Sequence, residues 1–172
     1  GSLLADDFSP EVVEALADKG TVSIDAQGYL REVVGEEVRP VEWKDMSRVL
    51  RATGILKLNE SEMQTVVGSK DPYEVGKKLA ACGVGEVVMT LGSYGSVIYA
   101  GGKAYDIPAY KPRKLVDATG CGDTYSTGYL WCRVQGMGIE EAGKFAAAMC
   151  SLKLQHSGPF DGTIADIEQL IG

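Results

Sequence analysis

The 172-residue chain is 45% hydrophobic and 24% charged, enough apolar content for a domain with a sizeable core and too much for a disordered segment. Its formal charge of −7 argues against a nucleic-acid partner, which needs a concentrated basic face. No apolar run approaches the roughly 18 residues of a membrane-spanning helix, and Leu3-Leu4-Ala5 is too short for a secretion signal, so no membrane partner and a cytoplasmic location are expected.

Ser9-Pro10-Glu11 reads as the N-cap, first-turn proline and first-turn acid of a helix that runs through Lys19 to a stop at Gly20. A strand from Thr21 to Asp25 follows, and Asp25 and Gln27 are taken as ordinary loop residues outside any site. The stretch from Gly28 to Pro40 has room for a small extra strand pair. Trp43 to Thr53 has helical apolar spacing ending at Gly54, and the short strand Ile55 to Leu58 delivers Asn59 at its carboxyl end, where the helix Glu60 to Val67 begins. Asp71-Pro72 repeats the cap-and-proline signal for a helix to Cys82, stopped by Gly83, and Glu86 to Thr90 is an apolar strand. Ser96 to Tyr99 and Ala104 to Ile107 read as a hairpin around Gly101-Gly102. Three helices complete the chain: Asp123 to about Gln135, Ile139 to about Gln155, and Thr163 to Ile171. Strands alternating with helices predict one α/β domain over residues 1–172. Its mostly parallel sheet would be flanked by helices on both faces, with a small β-hairpin and ligands outside the carboxyl ends of the strands. Asn59, Thr90 and the segment from Asp117 sit at such ends.

The run Asp117-Ala118-Thr119-Gly120-Cys121-Gly122-Asp123 places two glycines and an acid at a helix start. Gly120 and Gly122 can adopt backbone angles closed to other residues, which lets successive N–H groups turn toward one point. The first helical turn carries unpaired N–H groups and about half a positive charge, a seat for a phosphate. An acid at Asp123 would be held beside that phosphate, able to take a proton from an attacking hydroxyl. Taken alone, the run also fits an ordinary glycine turn capped by Asp. Lys111, Arg113 and Lys114 precede it, either solvated or neutralising phosphates. No Walker-type G-x-x-x-x-G-K-[ST] loop exists, and Tyr125 occupies the place where a dinucleotide fingerprint needs glycine. Cys82, Cys121, Cys132 and Cys150 make no C-x-x-C pair, and His156 is the single histidine, which disfavours structural zinc and suits reduced thiols. A helix N-terminus would lower the thiol pKa of Cys121 and favour its alkylation.

The run from Asp117 through Thr124 and Tyr125 resembles the D-T-x-G-A/C-G-D-x-F pattern of the ribokinase-like, or phosphofructokinase-B, carbohydrate kinases. Asn59-Glu60-Ser61-Glu62 resembles the family's N-x-x-E element, Thr90-Leu91-Gly92-Ser93-Tyr94-Gly95 its T-L-G-x-x-G turn, and Phe145 to Gly158 its adenine-side helix and loop. The resemblance implies that Asp123 is the general base and that the N–H groups of Gly120, Cys121 and Gly122 surround the moving phosphoryl group. It places Asn59 and Glu62 near the phosphates, with Glu62 organising Mg²⁺ largely through water, and Thr90, Gly92 and Gly95 along the path of ATP. Ala147 and Cys150 fall where the family packs adenine. Asp117 with Thr119 falls where some members hold a monovalent cation such as K⁺.

Ala118, Cys121 and Tyr125 depart from the family's commoner Thr, Ala and Phe, keeping two small residues and one aromatic ring. Members of the family are considerably longer, and nothing in residues 1 to 25 resembles the sugar-binding strands and lid that precede this part. The chain is therefore expected to be the C-terminal, nucleotide-binding portion of a kinase that transfers the γ-phosphoryl group of ATP to a hydroxyl of a sugar, polyol or nucleoside. The alternative is a catalytically silent nucleotide-binding or assembly module, or an inactive fragment. An exposed sheet edge leaves a homodimer open.

Overall fold

The computed structural model describes residues 2–172. In chain order the elements are α1 (Pro10–Ala17), β1 (Ser23–Asp25), β2 (Arg31–Val34), β3 (Glu37–Pro40), α2 (Met46–Arg51), β4 (Ile55–Asn59), α3 (Glu60–Val67), α4 (Pro72–Ala81), β5 (Glu86–Thr90), β6 (Ser96–Ala100), β7 (Lys103–Ile107), α5 (Cys121–Val134), α6 (Ile139–Lys153) and α7 (Ile164–Ile171). The main sheet has the order β1-β4-β5-β6-β7 and is mostly parallel, with flanking helices. β1 and β4 pair in parallel, with Ile24 opposite Leu56 and Asp25 opposite Lys57. β6 and β7 are neighbours joined through Gly101 and Gly102, a connection short enough only for antiparallel strands. The extra strand pair expected between Gly28 and Pro40 is present as β2 and β3, an antiparallel ribbon apart from the main sheet.

The chain divides into two compact units, one running to Met89 and including Tyr99–Ala104, the other comprising Thr90–Ile98 and Tyr105–Gly172. The division falls within β6 and β7. In the first unit, Leu56, Leu58, Met63, Val75, Val87 and Met89 are fully buried, the apolar runs of β4 and β5 being covered as strands inside a parallel sheet should be. Arg48 of α2 reaches α1, its Nε donating to Glu14 Oε1 at 2.7 Å. In the second unit, α5 packs on α6. Tyr129 and Cys132 of α5 and Ala142, Ala146 and Ala148 of α6 are buried, and Gly128 lets α5 approach to where a Cβ would lie 3.2 Å from the Ala146 Cα.

Two helices differ from the sequence expectation. The helix expected from Trp43 begins only at Met46, because Asp45 takes a left-handed conformation with φ of 54°. Trp43 instead stacks on Tyr29 with ring centroids 4.6 Å apart. The helix expected from Asp123 begins two residues earlier, at Cys121, behind Gly120 at φ 76°, which puts Cys121, Gly122 and Asp123 all in its first turn. Among the described residues no helix is long and apolar enough to cross a membrane, and no disulfide joins the four cysteines.

Gly76 on α4 sits where a Cβ would come within 2.5 Å of the Tyr99 Cβ and 3.1 Å of the Met89 Cε. Since Tyr99 meets it with the root of its side chain, relief requires backbone movement. Gly76→Ala should therefore destabilise the chain by about 1–3 kcal/mol despite its better helix propensity; urea unfolding measures this, and a neutral or stabilising result would contradict the packing.

Candidate functional site

The segment expected to carry the chemistry is fastened before it turns into α5. The N–H groups of Val116 and Asp117 both donate to the Leu154 carbonyl, at 2.8 and 3.3 Å. Asp117 Oδ1 accepts the Thr119 N–H at 2.9 Å, closing an Asx turn. Hydrogen bonding from Thr119 is the main cause that holds the Asp117 carboxyl below its ordinary pKa, with the Lys153 ammonium adding to it. Gly120 then takes the left-handed conformation, which only glycine adopts at no steric cost. Its carbonyl accepts from both the N–H and Oγ1 of Thr124, each at 2.9 Å.

The first turn of α5 offers donors, though not quite the expected set. Cys121 N–H donates to the Ala118 carbonyl at 3.2 Å and is spent in the turn. Among the described residues, the N–H groups of Gly120, Gly122 and Asp123 have no partner. The sequence reading placed Cys121 in this set and missed Asp123, because it started the helix two residues late. The Asp123 side chain is exposed, as a proton acceptor for an incoming hydroxyl must be.

Cys121 itself is half-buried, and burial pushes its thiol above the ordinary range, outweighing the lowering by Lys153. This corrects the expectation of a lowered pKa, since desolvation by burial is the largest cause acting on the thiol. Cys150 Sγ donates to the Cys121 carbonyl at 3.3 Å, so two of the expected residues meet. Ala147, one turn earlier on α6, is 8% exposed. Thr90 ends β5 half-buried. Gly92 is left-handed with open space around it, whereas Gly95 lies where a Cβ would be 2.1 Å from the Ile107 carbonyl oxygen. Gly95 is thus required by the close approach of two backbones.

In the first unit, Asn59 and Glu62 lock onto each other. Asn59 Oδ1 accepts the N–H groups of Ser61 and Glu62, both at 3.0 Å, while Glu62 Oε2 accepts the Asn59 N–H at 2.8 Å and Oε1 accepts the Asn59 Nδ2 at 2.7 Å. The N-x-x-E element is therefore a capping box for α3. Glu62 is 6% exposed, and burial raises its pKa, with Asp25 raising it further and Lys57 opposing. With both oxygens engaged, Glu62 is a poor fit to a direct Mg²⁺ ligand. Among the described residues no group of three or more His, Cys, Asp or Glu is placed to hold a metal.

Sequence reasoning missed two buried lysines and left out the Asp25 that pairs with one of them. Lys57, in the middle of β4 and 7% exposed, pairs at 2.5 Å with Asp25 at the carboxyl end of the adjacent strand β1. Lys153 lies buried against Asp117. The available signal was a lysine inside an otherwise apolar run, in ILKLN and in AAAMCSLKL, since lysine is almost never buried without a partner. An open hollow in the first unit, lined by Leu30, Pro40, Trp43 and Met46 among others, contains none of the expected site residues.

Similarity to known proteins extends along most of the chain. The pfkB family carbohydrate kinase model matches residues 7–165. A nucleoside kinase of Methanocaldococcus jannaschii is 30% identical over 124 residues, covering 72% of this chain and 40% of the relative. A pyrophosphate-dependent kinase in the ribokinase family, solved with a pyrophosphate analog and myo-inositol, superposes with a TM-score of 0.85 at 29% identity, covering 97% of this chain and 60% of that one. Arabidopsis thaliana ribokinase, solved with ribose and ATP, gives 0.77 at 27% identity, covering 94% and 51%. The chain thus spans less than two thirds of the length of each of these proteins.

Asn59→Ala should lower stability by about 0.5–2 kcal/mol, toward the upper end because Glu62 would be left buried without its partner; an unchanged denaturation midpoint would count against the capping box. Under brief alkylation of the folded protein at neutral pH, exposed Cys82 should react first, Cys121 slowly and buried Cys132 only on unfolding. Peptide mass mapping reads that order, and a Cys121 that outpaces Cys82 would contradict the effect of its burial.

Proposed function

For a chain that belongs to the pfkB family of carbohydrate kinases, we propose that it forms the phosphoryl-donor portion of a kinase that transfers the γ-phosphoryl group of ATP to a hydroxyl of a sugar, polyol or nucleoside. The observation that carries this reading is the set of unpaired N–H groups at Gly120, Gly122 and Asp123 beside the exposed Asp123 carboxylate. Donors fixed before the reaction stabilise charge that grows on the transferring phosphoryl oxygens without reorganising at that moment. In phosphoryl transfer, positioning and charge stabilisation supply most of the rate. Asp123 takes the proton of the acceptor hydroxyl as its oxygen attacks phosphorus, and the donor's bridging oxygen leaves with the remaining phosphates. Mg²⁺ would arrive with those phosphates and neutralise them; Asn59 and Glu62 keep the end of β4 and the start of α3 in register. Thr90, Gly92 and Gly95 form the turn along which the nucleotide lies, and Ala147 and Cys150 form the floor toward its base.

A second reading takes pyrophosphate as the donor. The similarity to a pyrophosphate-dependent kinase supports it, as does the burial of Ala147 and the turning of the Cys150 thiol onto the Cys121 carbonyl, which leave little open surface there for a base. A silent donor-binding module is the remaining rival.

Titration calorimetry with ATP and with pyrophosphate, both with Mg²⁺, beside turnover assays on ribose, myo-inositol and nucleosides, separates the three. Asp123→Asn should lose turnover by a factor of roughly 10² to 10⁴ while donor affinity changes little. Near-normal turnover in that variant would remove Asp123 from the role of base, and binding without turnover in the unaltered chain would favour the silent module or an inactive fragment.

A further inference from the structure

The family resemblance brings a monovalent cation to Asp117 and Thr119, yet two of the Asp117 oxygens that would receive it already face a cation of the chain itself. Lys153, the last residue of α6, is 2% exposed. Its ammonium donates to the Asp117 main-chain carbonyl at 3.0 Å and stands 3.5 Å from Asp117 Oδ2. The other carboxylate oxygen, Oδ1, is occupied by the Thr119 N–H at 2.9 Å. An ammonium and a K⁺ ion ask for the same oxygen surroundings at similar distances, and two positive charges cannot share one carbonyl and one carboxylate oxygen in a partly dry site. A free monovalent cation therefore does not fit beside Lys153.

The placement suits a device rather than an incidental pair. A buried ammonium is costly unless it is paired and hydrogen-bonded, and Lys153 finds its partners within one turn. Leu154, the next residue, accepts the N–H groups of Val116 and Asp117. The end of α6 thus grips both the donors and the acceptors of the segment that leads into Gly120, and this segment aims the first turn of α5. We propose that the Lys153 ammonium is a tethered substitute for the monovalent cation, holding the Asp117 to Gly120 turn in place whatever K⁺ or Na⁺ the solution contains. Lys153 is then a positioning residue, acting on the donor seat through the Asp117 turn. The inference takes the role of that turn from the proposed function, while the state of the turn itself is measurable without it.

The test is thermal unfolding of the chain and of Lys153→Met in KCl, NaCl and tetramethylammonium chloride at one ionic strength, with neither donor nor acceptor present. The unaltered chain should unfold at the same temperature in all three salts. Lys153→Met should unfold earlier in tetramethylammonium and recover part of the loss in KCl along a saturable titration, a rescue that a merely structural contact would not produce. An unaltered chain stabilised selectively by K⁺ overturns the proposal, and so does a variant equally destabilised in every salt. Should Lys153→Met fail to fold, the unaltered chain in the three salts decides alone, by equality or by K⁺ selectivity. These midpoints are read without ATP or pyrophosphate, so failure of the donor reading and failure of this one are seen separately.

Discussion

The left-handed turn at Gly120 is the constraint from which the proposed donor seat follows. A residue with a Cβ would pay to hold φ at 76°, and an ordinary approach to the helix would spend the first-turn N–H groups on a side-chain cap. Here the N-cap residue has no side chain to offer. The helix starts at Cys121 with only one N–H of the turn consumed, by Ala118. Helix α5 can present unpaired donors because its other end and its inward face are well held by Tyr129, Cys132 and the alanines of α6. The local cost of an uncapped start is offset by packing further along.

Around that turn the chain uses charge sparingly. A formal charge of −7 is a poor guide to the region, where Lys153 sits buried against Asp117 and hydrogen bonds to Thr119 keep the Asp117 carboxylate ionised. The first unit repeats the device, with Lys57 buried against Asp25 and Glu62 tied to Asn59. In both places an ionic group lies at or next to the end of a secondary element, where backbone groups without regular partners need fixing. Neither pair is a surface ion pair of negligible worth; each leaves a costly orphan if one partner is removed.

Much of this was legible in the sequence for physical reasons that can be named. The alternation of strand and helix, the β6–β7 turn at two glycines and the capping signal at Asp71 rest on local backbone chemistry, and the structure has them. The start of α2 was misread because Trp43 has helical spacing but is claimed by a stack on Tyr29, a contact that no local pattern encodes. The pKa of Cys121 went the other way because burial depends on what α6 lays over it. Lys57 and Lys153 lie inside apolar runs that hint at burial, but the partners that make the burial tolerable, Asp25 and Asp117, are distant in sequence. Asn59 and Glu62 were read for their chemistry, and the same spacing also produced a helix cap.

The central claim is that the amides of Gly120, Gly122 and Asp123 receive the donor's phosphates. Titrating ¹⁵N-labelled protein with the donor and following its amide resonances tests this most directly. The account predicts that those three amides shift together, with a single saturation curve, while the amide of Cys121 moves less because it is already bonded to Ala118. Saturable binding that moves resonances elsewhere and leaves these three in place would contradict it.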